Sequence, residues 1–161
     1  MKRYIDVMTG ELKDVKGYGV IQTQALGSCI ALAAYNKENK YAALAHIMLP
    51  DYSPQKNKTE IFRYAGNAID ELEKKIEENN CKKEETIFFM VGAGNVLQRE
   101  DDTICESNIK SVSELARKKD LNIVFKDVGG FKRRSCLIDL DEVNFAYSKG
   151  DEPYKYLEIE K

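Results

Sequence analysis

Two alanine-rich apolar segments, "CIALAAY" at Cys29–Tyr35 and "YAALAHIML" at Tyr41–Leu49, flank the polar "NKEN", and no other stretch constrains the fold as much. Apolar run, polar turn and apolar run predict a β-hairpin, although alanine is a weak strand former. With "NKEN" as a four-residue loop, Tyr35 faces Lys40, and Cys29 falls directly opposite His46, the single histidine of the chain. Directly opposed residues share a face with Cβ atoms about 4.5 to 5.5 Å apart, whereas a loop of three or five residues would separate the two onto opposite faces.

The remaining pattern places strands first and helices later. Apolar segments at Tyr4–Met8 and Gly19–Gln24 read as strands, and "DYSPQKNK" at Asp51–Lys58 reads as loop. From Thr59 to about Glu78, apolar residues recur at Ile61, Tyr64, Ala65, Ala68, Ile69, Leu72 and Ile76, which predicts an amphipathic helix capped by Thr59 or Asn57. "TIFFMV" at Thr86–Val91 predicts a buried strand ending in the turn "GAGN", and a shorter helix is expected over Asn108–Lys119. "LNIVFKDV", "SCLIDL" and "NFAYS" predict three further strands, the last two around an acidic turn at Asp141 and Glu142. Helices interrupting a strand-rich chain indicate an α+β fold with mixed sheet and helices on one side. One domain over residues 1–161 is expected, with a polar, loosely held tail from Lys149.

Composition removes several classes of function. The 25 basic and 27 acidic residues nearly cancel, and no basic stripe interleaved with aromatics suggests a nucleic-acid partner. No apolar run approaches a membrane span, and "MKRYIDVMTG" lacks the apolar core of a signal peptide, so a cytoplasmic protein without membrane insertion is expected. Cys29, Cys81, Cys105 and Cys136 are scattered with no CxxC spacing, which predicts free thiols and no metal cluster.

A thiol beside an imidazole can pass it a proton, giving a thiolate and imidazolium pair with the cysteine below its free pKa of about 8.5. Such a thiolate attacks a carbonyl, the imidazolium protonates the departing group, and the imidazole then serves as base for the water that clears the acyl-enzyme. Gly27 and Ser28 precede Cys29, where a bend would aim backbone N–H groups at the developing oxyanion. Thr23 lies six residues upstream of Cys29, so its hydroxyl reaches His46 only if the chain folds back near Gly27. A cysteine in an apolar strand is more often a packing residue, so solvent access to the thiol separates the two readings. "VGAGN" lacks the third glycine of a dinucleotide fingerprint and reads as a turn bringing Gly92, Gly94 and Asn95 to the cleft, while "KRR" at Lys132–Arg134 reads as a solvated hairpin end.

The motifs "TQALGSC" and "AHIMLP", followed by "RYAGNAIDELEKKI", "VGAGNVL" and "SNIKSVSELARKKDLNIVFKDVGG", resemble the chemoreceptor glutamine deamidase family CheD over roughly Gly19–Tyr147. That resemblance implies stacked β-sheets with a helical layer, similar to the catalytic domains of deamidating toxins. It implies hydrolysis of particular glutamine side chains in the cytoplasmic helices of chemotaxis receptors, a protein-glutamine glutaminase with no metal and no organic cofactor. By position, Cys29 would be the nucleophile, His46 the general acid and base, and Thr23 the residue orienting the imidazole. A CheC-type phosphatase is an implied partner. Glutamyl methylesterase activity and a largely non-catalytic module that binds such a phosphatase are the alternatives. The chain departs from the family pattern at Gly66, Cys105, Ser107 and Lys126.

Overall fold

The computed structural model describes residues 1–55 and 60–159. Along the chain lie β1 (Tyr4–Asp6), β2 (Leu12–Lys16), β3 (Val20–Leu26), β4 (Ile30–Asn36), β5 (Tyr41–Ile47), α1 (Ala65–Glu78), β6 (Thr86–Gly92), α2 (Ile104–Lys118), β7 (Asn122–Val128), β8 (Arg134–Asp139), β9 (Asn144–Lys149) and β10 (Lys155–Glu158). One mixed sheet has the order β1-β3-β8-β9-β10 and the other the order β2-β5-β4-β6-β7. The sheets stack, and α1 and α2 cover the outer face of the second. The expected α+β arrangement of stacked mixed sheets with helices on one side is therefore observed.

Every residue of β4 and β5 is buried. Strands covered on both faces read as continuous apolar runs, and here alternate residues serve two cores. Ile30, Leu32 and Ala34 face the helices with Ile69, Leu72 and Val112, while Ala31, Ala33 and Tyr35 face the first sheet with Ile21, Ile138 and Phe145. Phe89 of β6 stacks on Phe145 of β9 with ring centroids 4.2 Å apart, joining the two sheets. Alanine at these strand positions lets layers approach on both sides, which explains an alanine-rich hairpin that propensity alone disfavours.

The hairpin register differs from the expected one. Asn36 pairs with Tyr41 and Ala31 with His46, so the four-residue loop is Lys37–Lys40 rather than Asn36–Asn39. Asn36 stays in the strand because its side chain is committed there: Nδ2 donates to Thr86 Oγ1 at 3.0 Å and Oδ1 accepts the Asn39 N–H at 3.0 Å. The shift is by two residues, so Cys29 moves from directly opposite His46 to a diagonal position on the same face.

Helix α1 begins at Ala65, behind a short 3-10 turn at Ile61–Arg63, with Tyr64 as its N-cap residue. The expected caps Thr59 and Asn57 lie outside the described residues. Gly66 in the first turn lies under the Tyr52 ring, where a Cβ would meet ring carbons at 2.5 Å, a local reason for glycine at this departure from the family pattern. Strand β2 was not expected from the sequence, because Leu12–Lys16 carries only Leu12 and Val15 as apolar residues. The polar tail carries β10, antiparallel to β9.

Candidate functional site

Three connections between the sheets meet at one end of the sandwich. The chain passes from β1 to β2 through Val7–Glu11, from β3 to β4 through Gly27–Cys29, and from β7 to β8 through Gly129–Arg133. Thr23, Cys29 and His46 lie at this junction. The fold-back expected near Gly27 is thus a change of sheet, helped by a register shift between Thr23 and Leu26 and a left-handed Ala25 at φ 57°.

His46 is held first through its backbone: its N–H donates to the Glu11 carbonyl at 3.0 Å and its carbonyl accepts the Gly10 N–H at 3.0 Å. Its ring is oriented across the sandwich, with Nδ1 at 2.7 Å from Thr23 Oγ1. The Thr23 hydroxyl has one hydrogen, and it is donated to the Val7 carbonyl at 2.6 Å. Thr23 Oγ1 must therefore accept from Nδ1–H. The neutral ring carries its proton on Nδ1, and Nε2 keeps a free lone pair. Nε2 is buried and has no hydrogen-bond partner among the described residues.

The Cys29 thiol is half-buried beside the core between the sheets, whereas Cys81, Cys105 and Cys136 are buried. Burial raises the Cys29 pKa above its ordinary 9.0 and lowers that of His46 to about 4. Both shifts oppose the expected thiolate and imidazolium pair, since desolvation penalises each charged form. Burial thus favours a neutral thiol and a neutral imidazole, and no hydrogen bond joins them.

The "VGAGN" turn serves the backbone at Cys29. Ala93 N–H donates to the Cys29 carbonyl at 2.7 Å and Gly94 N–H to the Gly27 carbonyl at 2.9 Å. Gly92, at φ 127°, passes so close that a Cβ would lie 2.2 Å from the Cys29 carbonyl oxygen, and a Cβ on Gly94 would lie 2.3 Å from the Lys132 carbonyl oxygen. Gly27, by contrast, has open space around its Cα. Asn95 donates its N–H to the Gly130 carbonyl at 2.8 Å, while its side chain is occupied with Arg99. Ser28 contributes its carbonyl to a contact with Asn108 described below.

Two supports of this junction were not found from the sequence. Asn108 is fully buried on α2, and the signal was a polar residue within the apolar face marked by Cys105 and Val112. Arg134, expected in a solvated hairpin end, is 1% exposed. It donates to Asp127 Oδ1 at 3.0 Å and to the Lys132 carbonyl at 2.7 Å. Its charge is masked in the sequence by the two basic residues before it, and the Asp127 partner on β7 becomes visible only with the fold.

A tautomer-fixed buried imidazole, a half-buried thiol on the same sheet face and a clamped backbone thus come together between the two stacked sheets. The family model described as "CheD chemotactic sensory transduction" matches residues 48–149, beginning two residues beyond His46. A "Probable chemoreceptor glutamine deamidase CheD" of Clostridium botulinum is 35% identical over 139 residues, covering 84% of this chain and 86% of the relative. A protein of the same description from Chlorobium luteolum is 30% identical over 96% of this chain and 77% of the relative. The "Chemoreceptor glutamine deamidase CheD" of Thermotoga maritima is 29% identical over 88% of this chain and 87% of the relative. The chain belongs to the CheD family. Among the described residues no helix is long and apolar enough to cross a membrane.

Proposed function

We propose that this chain hydrolyses the side-chain amides of particular glutamines in the cytoplasmic helices of chemoreceptors, with Cys29 as nucleophile and His46 as general base and then general acid. The observation that carries the proposal is the buried Nε2 lone pair of His46, created by Thr23 Oγ1 accepting from Nδ1–H. The names of the relatives, chemoreceptor glutamine deamidases, supply the substrate class.

Starting from the neutral pair, the thiol proton passes to His46 Nε2 as Sγ adds to the glutamine side-chain carbonyl carbon. The tetrahedral intermediate carries its negative charge on oxygen. Its collapse breaks the C–N bond, the imidazolium proton goes to the departing nitrogen, and ammonia leaves a glutamyl thioester on Cys29. A water then gives one proton to Nε2 and adds to the thioester, the C–S bond breaks, and the imidazolium returns the proton to sulfur. Glutamate is released and the enzyme is regenerated. Throughout, Thr23 keeps Nδ1–H engaged, so the ring presents the same nitrogen in each half-reaction. The thiol and Nε2 need to come into hydrogen-bond contact only with substrate present, as catalytic contacts often tighten on binding.

The test is incubation with receptor cytoplasmic fragments, with glutamine-to-glutamate conversion mapped by mass spectrometry and released ammonia measured in parallel. Fragments bearing glutamyl methyl esters test the alternative leaving group, methanol. Ammonia release with mapped glutamates supports the amidase. Methanol release with no conversion of glutamine replaces it with the esterase.

A further inference from the structure

Asn108 has no exposed surface, and its Nδ2 donates two hydrogen bonds, to the Ser28 carbonyl at 2.9 Å and to the Met48 carbonyl at 3.0 Å. One side-chain amide therefore ties the residue before Cys29 to the chain just beyond His46. Its orientation follows from its neighbours, because the amide turned over would set Oδ1 against two carbonyl oxygens. Oδ1 itself has no hydrogen-bond partner among the described residues. A buried acceptor left unpaired costs about 1 to 3 kcal/mol, so this amide holds its two carbonyls at the expense of its own oxygen.

Three consecutive carbonyls in front of β4 are held in place: Gly27 by Gly94 N–H, Ser28 by Asn108 and Cys29 by Ala93 N–H. Among the described residues there are no cis peptide bonds. In a trans peptide the N–H points opposite to the C=O. Fixing the Ser28 carbonyl toward α2 therefore fixes the Cys29 N–H in the opposite direction. The outer two carbonyls are held by backbone, and the middle one depends on this single side chain.

We propose that Asn108 is a positioning residue for the hydrolytic reaction. By holding the Ser28 carbonyl, it aims the Cys29 N–H at the substrate oxygen that becomes negative when Sγ adds. The proposal rests on the reading of Cys29 as nucleophile and adds to it the donor that meets the oxyanion and the side chain that orients that donor.

Two reactions of the same thiol test it. Deamidation of receptor fragments develops an oxyanion, whereas alkylation of Cys29 by iodoacetamide displaces iodide from a saturated carbon and develops none. For Asn108→Ala, kcat for deamidation is expected to fall about 100-fold, the scale of losing an oxyanion donor. KM should stay within about threefold and the Cys29 alkylation rate within about twofold of wild type, the split that marks a transition-state interaction. Asn108→Ser, which keeps a hydroxyl donor for one carbonyl, should fall between the two, and it carries the comparison if the alanine variant does not fold. A structural role alone would slow alkylation and deamidation in parallel, and that result overturns the proposal. So does a folded variant with kcat within about threefold of wild type. If wild type converts no glutamine, the catalytic reading itself fails; if wild type converts and the variants match it, the role of Asn108 alone is removed.

Discussion

Thr23 Oγ1 and His46 Nδ1 face each other at 2.7 Å across two stacked sheets, and because the Thr23 proton is already given to Val7, the contact fixes the imidazole tautomer. The first prediction follows directly. Thr23→Val deprives Nδ1–H and the Val7 carbonyl of their partner together, and should cost on the order of 2 kcal/mol in a urea unfolding titration. Deamidation should fall at least about tenfold as the ring loses its fixed orientation. Thr23→Ser keeps the acceptor and should retain most of both properties.

Stability should depend on pH through His46. Its folded pKa is lowered to about 4 from an ordinary 6.5, so between those values the unfolded chain binds the proton that the folded protein refuses. Stability from this group is present above pH 6.5 and is lost as pH falls toward 4. The loss is at most on the order of 3 kcal/mol. His46→Gln should flatten that part of the stability curve in thermal unfolding measured across the range.

The neutral resting pair makes a second pH prediction, read on the thiol. Burial holds the Cys29 pKa above 9.0, so its iodoacetamide alkylation rate should still be rising at pH 9.0. A preformed thiolate would instead give a rate already on its plateau near neutral pH. Cys29 should nonetheless react ahead of Cys81, Cys105 and Cys136, since it alone of the four is not buried.

Glycines around Cys29 should separate by space rather than by proximity to it. Gly92→Ala places a Cβ 2.2 Å from the Cys29 carbonyl oxygen at a left-handed φ of 127°. A loss of more than about 2 kcal/mol is expected, because the obstacle is backbone. Gly27→Ala meets no atom within 4 Å. Its unfolding midpoint should change by no more than about 0.5 kcal/mol equivalent.

The fold was legible where pattern and burial agree. Continuous apolar runs gave β4, β5 and β6, and the 3.6-residue repeat from Ile61 to Ile76 gave α1 apart from its start. Strand β2 stayed hidden because it lies at a sheet edge, with only Leu12 and Val15 apolar. The face shared by Cys29 and His46 was legible from an even loop length, but their direct opposition was not, since the Asn36 contacts that shift the loop depend on β6. The charge state of the pair was also illegible. Spacing can bring a thiol and an imidazole together, but the burial that keeps both neutral comes from layers contributed by distant sequence.

The measurement that bears most directly on the central claim is glutamine conversion in receptor cytoplasmic fragments by wild type and Cys29→Ala, followed side by side by mass spectrometry. Wild type should convert particular glutamines to glutamate and release ammonia, and Cys29→Ala should convert none while unfolding at a similar temperature. Conversion by Cys29→Ala at the wild-type rate would contradict the assignment of Cys29 as nucleophile.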